Sequence, residues 1–404
     1  MMGLLEEEEM YRAIVNGDVH TLEQLLTVRG ARPEMRYRSH SIPPLNFAIV
    51  RQQLEIARVL LLHGASVNQR DCHRKKSALH CAVLTGNLAA VEMLLHEGAN
   101  PNLRDIDGST PVHFAAIMDD LRMFTALVEA GGDVEARDGN RRTALLIACA
   151  LGNLQIVNYL LDNCTVDVTV RDINGNTALH LYELYPLSLC KKLVSMGVSV
   201  TAVNSSGQST LHLYVNWLTR EDIGSHRADC YRCLYWLLLN GADPNQRSLY
   251  YPCYPLSMAV CNRDLIAVSM MLSFGANPDL RDTMGRTPAS LAIRTKNVPI
   301  LQLFYYNGMS ARFWEEHRKA AKIMQDQFVT HTMRNALISV LTGEAQIVKS
   351  LQYISALALR RSLGRNVDSV IFNSCLPIGV KNRVMSFAYY ILFVRARYSD
   401  AVLQ

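Results

Sequence analysis

A chain of 404 residues with 49% hydrophobic content is too apolar for wholesale disorder and long enough for several domains or one extended array. Its net charge of +5 is small for that length, and the basic residues are spread among acids, which argues against a dedicated nucleic-acid binder. The ten cysteines lack the density of a disulfide scaffold, so a reduced cytosolic or nuclear setting is expected. The start, MMGLLEEEEM, is acidic where a signal peptide needs a basic flank, and no apolar run approaches the ~18–20 residues of a membrane span.

In chain order, residues 1–8 read as an acidic tail, with Glu6, Glu7, Glu8 and Glu9 as a polar cap before a first helix pair ending at Gly30. Helix-terminating glycines then recur about every 33 residues, at Gly64, Gly98, Gly131, Gly197, Gly241, Gly275 and Gly308, with Cys164 standing where one is missing. The most regular unit spans residues 104–140. Its turn carries Gly108, a residue suited to positive φ; Ser109 or Thr110 can cap a helix and Pro111 fits its first turn. A short apolar helix over 112–118 follows, then a second with Phe124, Leu127 and Val128 on one face. Neither helix can bury its apolar side alone, so each unit needs neighbours of the same pattern.

Departures from this unit fall at the loops, or fingers, between repeats. The second finger, HRKK (73–76), has no glycine, and the fourth, RDGNRR (137–142), moves it to Gly139. The seventh, SLYYPCYP (248–255), is rich in tyrosine and proline, and an extra stretch over 216–229 lengthens one step to 44 residues. After Gly308 the period stops. Residues 312–347 read as one or two helices that cap the last repeat, residues 348–394 as a small helical module, and 395–404 as a tail.

The segments SALHCA (77–82), TPVHFA (110–115) and TALHLY (177–182), with LLHGASVN (61–68) and LLLNGADPN (237–245), resemble the ankyrin-repeat family over about residues 9–311. That resemblance implies an all-α solenoid of about nine repeats, with β-hairpin fingers projecting to one side. In the C-terminal module, SLQYISALALRRSL (350–363) and CLPIGV (375–380) resemble a SOCS box of three helices, so the whole chain is similar to the ankyrin-repeat and SOCS-box family. By that likeness Leu351, Ile354, Ser355 and Leu359 would dock on elongin B/C, and Leu376, Pro377 and Ile378 on a cullin-type scaffold that carries a RING protein. Ser355 stands where the family has cysteine, and Gly379 where it has a second proline. Periodicity alone leaves two partners open for the apolar stripe of 350–363: another protein, or the last repeat.

The implied role is the non-catalytic substrate-recognition subunit of a ubiquitin ligase in the cytoplasm or nucleus, and the competing one is a plain interaction scaffold. Candidate contacts to the unknown protein target are the basic fingers, Arg74, Lys75, Lys76, Arg141 and Arg142, and the amphipathic anchors Trp217, Tyr250, Tyr251 and Tyr254. No phosphate-cradling loop, nucleophile elbow or paired-carboxylate pattern occurs, and no cofactor or metal is expected. His80, His113, His180 and His212 share one repeat position. Stacked helices lie about 8–10 Å apart while zinc ligands must each approach to about 2 Å, so each histidine is expected to bond the neighbouring finger. Cys230 and Cys233 form a lone CxxC within a second helix, with His226 just before it.

Overall fold

The computed structural model describes residues 2–34, 42–181, 186–219, 227–250, 254–295, 297, 300–301 and 303–304. The expected cap over 312–347, the SOCS-like module and the C-terminal tail lie outside them, as do Gly308, Tyr251, His226 and the inserted residues 220–226. The described residues are helical apart from turns and two isolated β-bridges, and they fall into two compact units: residues within 1–183 with 195–198, and residues within 184–194 with 199–404.

The first unit is a succession of helix pairs: α1 (Met2–Asn16) with α2 (Val19–Thr27), α3 (Pro44–Val50) with α4 (Leu54–Leu62), α5 (Ala78–Leu84) with α6 (Leu88–His96), α7 (Pro111–Met118) with α8 (Leu121–Glu129), and α9 (Ala144–Leu151) with α10 (Leu154–Asn163). It ends in α11 (Ala178–Leu181). Each first helix packs on the next first helix, α1 on α3, α3 on α5, α5 on α7, α7 on α9 and α9 on α11. The second unit holds α12 (Leu187–Ser195), α13 (Thr210–Trp217) with α14 (Arg227–Leu239), α15 (Pro255–Cys261) with α16 (Leu265–Ser273), and α17 (Pro288–Arg294). There α13 packs on α15 and α15 on α17, while α14 packs on α16.

Local chemistry explains the regularity. Ser77, Thr110, Ser209 and Thr287 begin first helices through reciprocal capping boxes, and Pro111 and Pro288 fill the first helical position, where a missing N–H costs no bond. Second helices start on Asp18, Asn87, Asp120 and Asp264, whose side chains accept backbone N–H groups. The core lies between pairs: Leu79, Ala82, Ala90, Val91 and Leu94 are fully buried, as are Val112, Phe124 and Leu127 one repeat on. In α8, Met123 is buried with Phe124 and Leu127, whereas Val128, expected on that face, is only half-buried. Gly131 and Gly132 end this helix for different reasons. Gly131 takes φ +86°, whereas a Cβ on Gly132 would stand 2.7 Å from both the Leu127 carbonyl oxygen and Val112 Cγ2. Cys164, lacking glycine's freedom, leaves α10 in extended conformation instead.

Two sequence expectations change. The acidic run lies within α1 rather than in a tail ahead of it: Glu8 pairs with Arg12 one turn along at 2.7 Å and Glu9 with Arg29 of the next helix end at 2.5 Å. The fingers are not β-hairpins. Arg70 with Ser77 and Val203 with Ser209 make isolated bridges, and no strand forms among the described residues. The reason is visible in finger 104–110, where the buried Asp105 carboxylate accepts the N–H groups of Asp107 (3.0 Å) and Ser109 (2.8 Å) that a strand ladder would otherwise use.

Candidate functional site

The fingers of the first unit are tied into a row by their own backbone. Ile106 N donates to the Arg74 carbonyl (2.8 Å), Gly139 N to that of Asp107 (2.7 Å) and Ile173 N to that of Asn140 (2.8 Å). In the second unit Leu249 N donates likewise to the Ser206 carbonyl at 2.9 Å. At one of these links close approach demands a small residue: a Cβ on Gly139 would lie 2.8 Å from the Asp107 oxygen.

Beneath the tips His80 and His113 do what their spacing suggested, and more. Nε2 of His80 meets the Ser109 carbonyl at 3.1 Å, and that of His113 meets the Arg142 carbonyl at 3.0 Å, each one finger onward. Nδ1 accepts from the N–H of the histidine's own helix cap, Ser77 at 3.2 Å and Thr110 at 3.1 Å, so the neutral ring spans two repeats. Burial, partly offset by the Ser109 bond, pushes His80 down from its ordinary 6.5 to about 4, and burial lowers His113 as well. Protonation would place a proton on Nδ1, where the cap N–H is accepted.

The stability that neutral His80 supplies is therefore present above pH 6.5 and lost as pH falls towards 4, because the unfolded chain takes up the proton first. We expect wild-type protein to lose about 3 kcal/mol over that range through this residue, and His80→Gln to flatten the acid limb of the urea-midpoint profile. Parallel profiles for the two proteins would contradict this role.

The candidate contacts separate by exposure. Arg74, Lys75 and Arg141 are exposed. Lys76 is half-buried with its ammonium 4.8 Å from the Phe114 ring centroid of the next repeat, and Arg142 is tied to Asp138 of its own finger at 2.8 Å, so both are committed to internal contacts. Trp217 and Tyr254, expected as surface anchors, are buried. Trp217 ends α13 against Tyr214, ring centroids 4.8 Å apart, and the Tyr254 hydroxyl donates to the Arg281 carbonyl at 3.4 Å. Both were misplaced for one reason: a departure from the repeat pattern also arises when a large side chain fills core space. Tyr250 is exposed, beside exposed Leu249. Cys230 and Cys233 are buried in α14, and Cys233 Sγ lies 4.0 Å from Cys190 Sγ, which in turn meets the Tyr214 hydroxyl at 3.2 Å. Among the described residues no group of three or more His, Cys, Asp or Glu side chains is arranged to hold a metal ion, and no helix is long and apolar enough to cross a membrane.

Sequence reasoning overlooked two ladders. Asn68, Asn102 and Asn245 each donate to the carbonyl of the next helix-ending glycine, Gly98 (3.3 Å), Gly131 (2.9 Å) and Gly275 (3.0 Å), and accept from the N–H of Asn100, Asp133 and Asn277. Arg70 and Arg104 reach the carbonyls of Arg104 and Arg137 in the same way. The signal was the asparagine four residues after each glycine-ended helix in LLHGASVN and LLLNGADPN.

Comparison with known proteins agrees with this geometry. The family model for ankyrin repeats matches three times, over residues 10–105, 97–172 and 225–312. Dog inversin is 29% identical over 174 residues, which cover 43% of this chain and 16% of inversin. Chicken inversin is 31% identical over 140 residues, 34% of this chain and 12% of that protein. An ankyrin repeat protein of fowlpox virus is 33% identical over 128 residues, 30% of this chain and 38% of its own length. The chain thus spans well under half the length of each of these relatives.

Proposed function

Because the chain belongs to the ankyrin-repeat family, whose repeats are protein-interaction modules, we propose that it is a non-catalytic recognition subunit that holds a protein target on its repeats and a ubiquitin ligase on its C-terminal segment. The observation that carries the first half is the row of linked fingers, which presents exposed side chains on a backbone-braced surface. The second half rests on the sequence 350–380. Leu351, Ile354, Ser355 and Leu359 are assigned to elongin B/C, and Leu376, Pro377 and Ile378 to a cullin-type scaffold with its RING protein. Its contribution to ubiquitin transfer is proximity, a raised effective concentration of target near the donor. The proposed compartment is the cytoplasm or nucleus.

Capture of purified elongin B/C on immobilised full-length protein tests the ligase half. Wild type should retain the pair, and Leu351→Asp should lower recovery at least about tenfold, since each fully buried leucine contributes about 1.5–3 kcal/mol and a charge there adds a desolvation cost. No capture by wild type, or equal capture by both, would leave the repeats as a plain interaction scaffold.

A further inference from the structure

At the tips of the linked finger row of the first unit the exposed side chains alternate in character, while exposed arginines, Arg70, Arg104, Arg137 and Arg171, begin every finger. Arg74 and Lys75 stand on the second finger, Ile106 on the third, Arg141 on the fourth and Ile173 on the fifth. Both isoleucines are 56% exposed, a level at which a fingertip gains nothing in core stability from an apolar residue. The two cationic fingers share an unusual backbone. Lys75 (φ +54°) and Arg141 (φ +61°) occupy the left-handed turn position that Gly108, Gly175, Gly207 and Gly285 fill elsewhere. A side chain there costs on the order of 1–2 kcal/mol. Finger 73–76 and finger 137–142 thus retain strained long cations at the position where glycine relieves strain in their neighbours. The acids that could neutralise this row are largely committed: Asp105, Asp138 and Asp172 are buried, and Asp71 accepts the N–H groups of Arg74, Lys75 and Lys76. Asp107 is the exposed exception, beside Ile106.

We infer that this row recognises an extended acidic peptide in which carboxylates and apolar residues alternate at the spacing of the fingers. The inference rests on the reading that the repeats hold a protein target, and it names that target's chemistry. Successive repeats advance about 10 Å, and an extended chain about 3.3 Å per residue. Each finger therefore meets about every third ligand residue. A ligand matched to the row carries acidic residues about six apart, for Lys75 with Arg74 and then Arg141, and apolar residues midway between and beyond them, for Ile106 and Ile173. Lys76 and Arg142, committed to Phe114 and Asp138, take no part. The isoleucines favour a peptide over a nucleic acid, whose bases would be served by exposed aromatic tips.

The test is fluorescence anisotropy with full-length protein and a labelled synthetic peptide of that pattern, compared with a scrambled peptide of equal composition and a single-stranded oligonucleotide of equal charge. The patterned peptide should bind at least about tenfold more tightly than either. Lys75→Gly and Arg141→Gly remove the cations while relieving the turn, so these variants stay folded, and each should weaken the patterned peptide about tenfold or more. Ile173→Ser should weaken the patterned peptide and leave the scrambled one unchanged. Equal binding of the two peptides, tighter oligonucleotide binding, or glycine variants that bind as well as wild type would overturn the inference. Leu351→Asp, which disables the proposed ligase contact, should bind the peptide normally, so failure here and failure of elongin capture are read separately.

Discussion

Alanine at Trp217 is expected to destabilise the second unit by about 3–5 kcal/mol rather than to delete a binding contact. The indole is 6% exposed, closes α13 and stacks edge-on against Tyr214, whose hydroxyl reaches Cys190 of α12. Truncation leaves a cavity between helices that a neighbouring side chain cannot fill without leaving its own partner. Trp217→Phe keeps a ring beside Tyr214 and should cost less than half as much. Urea unfolding followed by circular dichroism distinguishes the outcomes, and an alanine variant with an unchanged midpoint would show that the tryptophan is not part of the core. Loss of a target in a Trp217 variant would accordingly report folding, not contact.

Asp138→Ala is expected to cost about 2–4 kcal/mol, because the carboxylate, buried to 6% residue exposure, holds one finger by four bonds. It accepts the N–H of Asn140 at 2.9 Å and of Arg142 at 2.8 Å, and the Arg142 guanidinium through Nε at 2.9 Å and Nη2 at 2.8 Å. Alanine leaves the two backbone donors without a partner and frees the turn that sets Arg141 at positive φ. Asp138→Asn should recover roughly half the loss. Asn204 already fills the corresponding place in its own finger, accepting Ser206 N and Gln208 N at 3.0 Å each. Thermal unfolding of the three proteins decides this, and equal stability of the alanine and asparagine variants would show that the acceptor does not hold the loop. The patterned peptide should also bind more weakly to Asp138→Ala at temperatures where it is fully folded, since Arg141 loses its fixed position.

The fold was legible because its signals are local and repeated. Thr110, Pro111, Gly108 and Gly131 each have a short-range physical role, and the recurrence of the set about every 33 residues adds the long-range fact that helix pairs stack. The surface was less legible, since exposure is not a local property. Tyr250 and Tyr254 are four residues apart in one aromatic finger, yet one is 63% exposed and the other 8%, because only Tyr254 sits at a helix start facing the next repeat. Lys75 and Lys76 read alike in sequence, while one lies at the tip and the other over Phe114. The asparagine ladder is not legible locally, because Asn68 and Asn102 find their partners only in the next repeat.

The fingertip links run from N–H to carbonyl and use no side chain beyond the small residue at Gly139. Any amino acid but proline, which lacks the N–H, can therefore make the same link at positions 106, 140 or 173, so most single-base mutations there change what is displayed without changing how the repeats adhere. Selection can then redraw the recognition face one codon at a time, with folding left out of the trial.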